Sequence, residues 1–156
     1  HKALLKEIET RLSQYHASEP VMKEFAQISE KLAELPICSD NYGVIHYDFE
    51  PDNVFFDKKT GTYSVIDFDD AIRCWYTLDV VRALDALDEV VKGADLKEIK
   101  VCFLDGYKKA ASFMEEQQSE LSLMRRLVHL QEYSTLLYVM SEPVYEKPEW
   151  MIALIK

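Results

Sequence analysis

Apolar positions recur at helical spacing through the first third of the chain. Leu4, Leu5, Ile8, Leu12 and Tyr15, with charges between them, predict an amphipathic helix. Ser18-Glu19-Pro20 reads as a second helix start: a serine cap, an acid in the first turn, and a proline where its missing N–H is harmless. Val21, Met22, Phe25, Ile28, Leu32 and Leu35 form its stripe, and Pro36 ends it. The period then changes. Val44-Ile45-His46 is a short β-prone run, and Val54-Phe55-Phe56 and Tyr63 to Phe68 flank a turn ending in Gly61, which predicts a hairpin. From Thr77 the pattern is helical again. Thr77 is the expected cap of a helix carrying Leu78, Val81, Leu84, Leu87 and Val91, with Gly93 closing it. Leu96, Ile99, Phe103 and Tyr107 mark a further helix. A longer one is expected from about Glu120 to Met140, with Leu123, Leu127, Leu130, Tyr133 or Ser134, Leu137 and Met140 inward; Pro148 opens a last short helix through Trp150 and Leu154. The order of helices, hairpin and helices predicts a mostly helical α+β fold.

Composition narrows the function classes. The 156 residues are 48% hydrophobic, enough for a packed core and outside the disordered class. No apolar run approaches the roughly 20 residues that span a bilayer, and the first residues alternate charged and apolar types, unlike a signal peptide. A net charge of −10 without a basic patch argues against nucleic-acid partners. Cys38, Cys74 and Cys102 are odd in number and far apart, which reads as free thiols in a reducing cytoplasm. The four glycines, Gly43, Gly61, Gly93 and Gly106, are never closer than thirteen residues. No G-x-G-x-x-G or Walker A loop can be written, so a glycine loop for nucleotide phosphates must lie elsewhere.

The chemistry is concentrated in His46-Tyr47-Asp48-Phe49-Glu50-Pro51-Asp52-Asn53 and in Ile66-Asp67-Phe68-Asp69-Asp70. If the hairpin turn occupies 58–61, Asp57 faces Thr62 and Asn53 faces Ile66. Asn53 and Asp67 then share the open end of one hairpin. Opposed Cβ atoms in such a ladder are about 5 Å apart, so one amide oxygen and one carboxylate can share a hard cation. Magnesium takes only one or two carboxylates from a protein and completes its shell with phosphate oxygens and water. Asp48 lies in the loop entering that end and is placed to accept a hydroxyl proton.

This pattern resembles the catalytic core of the protein-kinase-like fold, H-x-D-x-x-x-x-N followed by a hairpin and a metal-binding Asp before Phe. Its flavour is that of the aminoglycoside phosphotransferase and choline kinase family, and the likeness runs from Gly43 to Leu84. The resemblance implies ATP- and Mg2+-dependent phosphoryl transfer to the hydroxyl of a small molecule. By that resemblance Asp48 is the catalytic carboxylate, and Asn53 and Asp67 are the magnesium and nucleotide ligands. His46 ties the loop to the metal motif, and Asp79 in Leu78-Asp79-Val80 supports the loop. Asp69 and Asp70 support the metal motif either as groups beside the metal or by hydrogen-bonding the backbone of the turn.

Three departures change the expectation. Tyr47 replaces the usual glycine or arginine, and Glu50 and Asp52 make the loop more acidic than its relatives, which points Tyr47 and Glu50 toward a cationic acceptor. Cys74-Trp75 lies where relatives often carry glycine. The glycine-rich loop and phosphate-contacting lysine of a nucleotide lobe are absent before His46, so the expectation is a C-terminal lobe, inactive alone and prone to self-association through its uncovered face. Its parts are a helical segment over 1–36, the catalytic loop and hairpin over 43–70, and helices over 77–156. The alternatives are a binding module built on an inactive kinase lobe, and a haloacid-dehalogenase-type phosphatase using Asp67 and Asp69.

Overall fold

A computed structural model describes residues 1–93, 95–111 and 115–141. The elements are α1 (Lys2–Gln14), α2 (Glu19–Glu34), β1 (Tyr42–Ile45), a 3-10 turn (Pro51–Asn53), β2 (Val54–Asp57), β3 (Thr62–Val65), β4 (Ile72–Trp75), α3 (Tyr76–Val90), α4 (Asp95–Ala110) and α5 (Glu115–Ser141). The described residues make a mostly helical α+β fold with two small antiparallel sheets. The helix expected from Pro148 through Trp150 and Leu154 lies outside them. No helix among the described residues is long and apolar enough to cross a membrane.

The chain divides into two compact units. One holds Lys2–Leu35 and the chain from Arg126. Its core is built by Ile8 and Leu12 of α1, Ile28 and Leu32 of α2, and Leu127, Val128 and Leu130 of α5, all buried. These are the inward positions that the helical periodicity of each segment selects. The Arg126 guanidinium grips Glu24 with two hydrogen bonds, Nε to Oε1 at 2.6 Å and Nη2 to Oε2 at 2.9 Å. That bidentate pairing holds the Glu24 carboxyl below its ordinary value.

The other unit holds His1 and Pro36–Arg125, with both sheets, α3, α4 and the first part of α5. The expected hairpin forms in the expected register: Asp57 faces Thr62 and Val54 faces Val65. Asp57 closes the turn by accepting the Lys59 N–H on its side chain at 2.8 Å and the Gly61 N–H on its carbonyl at 2.8 Å. Gly61 takes φ +69°, a conformation that glycine enters at no steric cost.

The second sheet was not foreseen. Strand β4 pairs with β1, setting Tyr42 against Trp75 and Ile45 against Ile72. The β-hairpin is therefore one pair nested inside another. Trp75 is fully buried, donates from Nε1 to the Pro36 carbonyl at 3.1 Å, and meets the Tyr42 ring edge-on at 5.3 Å. Gly43 is required by close approach: a Cβ there would lie 2.8 and 2.9 Å from Cε1 and Cζ of Tyr76.

Helix boundaries depart from expectation in three places, one being α5, which starts at Glu115 and not near Glu120. Helix α3 starts at Tyr76, with Trp75 at its N-cap, so Thr77 does not cap it. Thr77 is buried instead and donates to Glu120 Oε2 at 3.4 Å. Gly93 lies beyond Val91, the residue that ends the helix. On α5 the inward face is carried by Met124, Leu127, Val128, Leu130 and Ser134, while Tyr133 is exposed.

Candidate active site

The nested hairpin has an interruption. Outside it, β1 pairs with β4; inside it, β2 pairs with β3. Between the two ladders the chain runs through residues 46–53 on one side and 66–71 on the other. Every polar residue singled out for the chemistry, except Asp79, lies in these two connections. Antiparallel pairing on both sides forces the connections to face each other, which is how residues distant in sequence come together.

Two hydrogen bonds cross the interruption. The Ile66 N–H donates to the Asn53 carbonyl at 3.1 Å, and the His46 Nε2–H donates to the Ile66 carbonyl at 2.7 Å. His46 is buried, and the Phe68 ring lies 4.6 Å from its own. A carbonyl can only accept, so Nε2 carries a proton in this bond. The buried Nδ1 has no hydrogen-bond partner among the described residues.

The loop is also held from α3. Asp79 accepts the His46 N–H on Oδ2 and the Tyr47 N–H on Oδ1, both at 2.7 Å. Burial pushes the Asp79 carboxyl above its ordinary value, opposed by those two N–H donors and then by the charges of His46 and Arg82. Tyr47 needs this restraint because its φ is +73°, in the left-handed region that non-glycine residues seldom adopt. The Arg82 guanidinium covers the Tyr47 ring at 5.0 Å. Asp67 is also left-handed, with φ +64°. The sequence flags neither conformation, since both positions carry residues with side chains.

Asn53 sits at the end of the 3-10 turn and is buried. Its Nδ2 donates to the Asp48 carbonyl at 2.9 Å and to Asp48 Oδ2 at 3.2 Å. The amide nitrogen is thus used within the loop, and the amide oxygen remains as a donor atom for another group. Asp67, Asp69 and Asp70 are exposed in the facing connection. The Asp67 carboxylate takes part in no hydrogen bond among the described residues, so it too is available. One amide oxygen and one carboxylate are hard donors that suit magnesium or calcium. Among the described residues no three His, Cys, Asp or Glu side chains group as a metal cage. A cation at the Asn53–Asp67 pair would therefore need oxygens from phosphate or water.

Glu50 is half-buried and follows Asp48 closely, its N–H donating to the Asp48 carbonyl at 3.0 Å. Burial raises its carboxyl above the ordinary value, and the negative charges of Asp48, Asp52 and Glu89 add to this against Arg82. Sequence reasoning missed Arg82, whose charge bears on Glu50 and Asp79 alike and whose guanidinium stacks on Tyr47. Its only signal was a lone arginine three residues after Asp79.

The strands among the described residues pair only antiparallel. That leaves the phosphatase alternative without the parallel sheet it requires. Among curated proteins none matches the sequence. Among solved structures, the chain is similar to the amicoumacin kinase hAmiN in complex with AMP-PNP, Ca2+ and Ami. The TM-score is 0.71 at 22% identity, over 86% of this chain and 41% of that one. This chain thus spans less than half the length of that kinase, and the likeness shows a shared fold. A family model for the phosphotransferase enzyme family matches residues 2–113. The match takes in both connections of the interrupted hairpin together with Asp79, and the chain belongs to the phosphotransferase enzyme family.

Proposed function

We propose that this chain is the catalytic lobe of an ATP- and Mg2+-dependent phosphotransferase whose acceptor is a hydroxyl of a small molecule. The observation that carries the reading is the hydrogen bond from Asn53 Nδ2 to Asp48 Oδ2, formed where two facing connections also present Asp67. Asp48 is the group that takes the hydroxyl proton, and Asn53 fixes the orientation of its carboxylate. General-base assistance of this kind is worth about 10²–10⁴-fold. The Asn53 oxygen and the Asp67 carboxylate are the magnesium and nucleotide ligands; bound magnesium supplies charge neutralisation for the transferring phosphoryl group. His46 and Asp79 are positioning residues: they hold the loop through Ile66 and through two backbone N–H groups. Asp69 and Asp70 support the metal motif from the exposed connection, and Tyr47 and Glu50 face the acceptor.

The glycine loop and lysine that grip the nucleotide phosphates belong, on this reading, to a separate N-terminal lobe. Alone, the present chain binds nucleotide weakly and turns over negligibly. Its three free thiols suit a reducing compartment such as the cytoplasm.

The test is calorimetric titration with ATP and magnesium, on this chain and on a form extended upstream by a nucleotide lobe. The extended form should bind, Asp67→Ala should weaken that binding, and Asp48→Asn should keep it while lowering turnover by about 10²–10⁴-fold. An Asp48→Asn protein with undiminished turnover sinks the assignment. Binding by neither form would favour the inactive binding module.

A further inference from the structure

Among the described residues, His16, Tyr47 and Asp67 take a positive φ without being glycine. Histidine and aspartate are enriched in that region. Tyrosine is not, so at φ +73° Tyr47 must be held by its surroundings. It is also the residue that delivers the chain to Asp48.

Helix α3 supplies two holds. Asp79 takes the Tyr47 N–H on Oδ1 and the His46 N–H on Oδ2, both at 2.7 Å. Three residues further along, on the same face of the helix, Arg82 lays its guanidinium carbon 5.0 Å from the centre of the Tyr47 ring. Arg82 Nε and the Tyr47 hydroxyl oxygen are both shielded from solvent. A cation over an aromatic face is worth most in such a dehydrated setting.

The two holds act on different torsions. A residue's backbone has only two soft torsions, φ and ψ. Holding the N–H of residue 47 leaves its φ free. Holding its Cα–Cβ direction through the ring fixes φ as well, and with it the direction in which the chain leaves toward Asp48. Asp48 then meets Asn53 Nδ2 through its carbonyl at 2.9 Å and through Oδ2 at 3.2 Å. The charge of Arg82 also reaches Glu50 and Asp79, but burial and every other influence on those two carboxyls outweigh it. The ring contact is therefore the distinctive one.

We propose that Arg82 is a positioning residue of the loop: its guanidinium, stacked on Tyr47, keeps residue 47 left-handed and so aims the Asp48 carboxylate at Asn53. The consequence for catalysis rests on the function proposed above, in which Asp48 takes the acceptor proton. The placement itself does not, and it can be read on this chain without nucleotide.

Amide hydrogen exchange and NMR of the Asn53 side-chain amide, both on this chain, test the proposal. Arg82→Ala should speed exchange of the His46 and Tyr47 amides by about tenfold or more and leave the amides of the outer ladder unchanged. It should also move the Asn53 side-chain amide protons toward their positions in Asp48→Ala. Tyr47→Leu keeps a bulky residue at that φ without the ring, so it should reproduce both effects. Arg82→Ala added to Tyr47→Leu should then change nothing more. Tyr47→Phe retains the ring and should behave as the parent. Equal acceleration of all amides, the outer ladder included, makes Arg82 a general support of the fold and overturns the proposal. Further acceleration by Arg82→Ala in the Tyr47→Leu background overturns it too, because the charge would then act without the ring. So do Asn53 protons that stay in place in Arg82→Ala, since Asp48 would keep its aim unaided. A failure of phosphoryl transfer in the extended form leaves these signals intact, which keeps the two readings apart.

Discussion

The two ladders of the nested hairpin are alike on paper and unlike in surroundings. Each pairs two four-residue strands in antiparallel register. In the outer ladder Ile45, Cys74 and Trp75 are buried, and Trp75 and Tyr42 pack ring against ring. In the inner ladder Phe55, Phe56 and Tyr63 are all exposed. The outer pair is anchored in a core, while the inner pair is an arm whose rigidity comes from its turn and its two connections. The polar residues of the candidate site lie between them, fixed on one side by packing and on the other by hydrogen bonds. Burial sets the stability of this unit, and the connections set the geometry of the site.

The comparison breaks most visibly at Trp75. Trp75→Ala deletes the largest fully buried side chain among the described residues and the hydrogen bond to Pro36. Burial of that size makes the expected loss about 3–5 kcal/mol, read as a fall in the denaturant midpoint. A loss below about 1 kcal/mol would mean that the outer ladder is not the anchored one.

Asp79 comes next, because it joins the anchored part to the site. Asp79→Ala leaves the His46 and Tyr47 N–H groups without their acceptors. Each unsatisfied donor costs about 1–3 kcal/mol, so a loss of about 2–4 kcal/mol is expected. Asp79→Asn retains one oxygen acceptor and should recover part of it. Thermal melts of the three proteins check the order. An alanine variant as stable as the parent would show that the loop is held by something else.

The inner hairpin and its register were legible in the sequence because turn chemistry is local: Asp57 and Gly61 fix the loop, and the strand alternation does the rest. The family pattern was legible for the same reason, since His46, Asp48, Asn53 and Asp67 lie at short fixed intervals. The outer pairing was not. Ile72 to Trp75 is only four residues long, and its partner lies at Tyr42 to Ile45, beyond the whole inner hairpin. Such a contact is decided by tertiary packing, here by the burial of Trp75, and not by any local signal. Thr77 misled in the complementary way. Its hydroxyl is a good cap by type, yet its place in the core gives it to Glu120.

Cys74 offers a milder probe of the anchored ladder. Burial pushes its thiol up to about 11 from an ordinary value of 9.0, whereas Cys38 and Cys102 are exposed. A folded-state pKa above the unfolded one means that the unfolded chain loses the proton first as pH rises. The stabilisation from keeping Cys74 protonated is complete below about pH 9 and is lost as pH climbs through about 11. At pH 8, Cys38 and Cys102 should react with a thiol reagent in the native protein, and Cys74 only after denaturant is added. Native labelling of all three cysteines at equal rates would contradict the burial of this strand.

The smallest effect belongs to the arm. Phe56 and Tyr63 are opposed across the inner ladder with ring centroids 4.7 Å apart, and both are exposed. A cross-strand aromatic pair contributes about 0.2–1 kcal/mol relative to alanine, and an exposed one deletes little packed volume. Phe56→Ala should therefore cost about 0.5 kcal/mol in the melt of this chain, several-fold less than Trp75→Ala. The two substitutions remove aromatic rings from ladders of the same length and pairing, so their ratio isolates burial from strand pairing. If Phe56→Ala destabilised this chain as strongly as Trp75→Ala, the inner hairpin would be packed against something in solution. The contrast between an anchored ladder and a free arm would then be wrong.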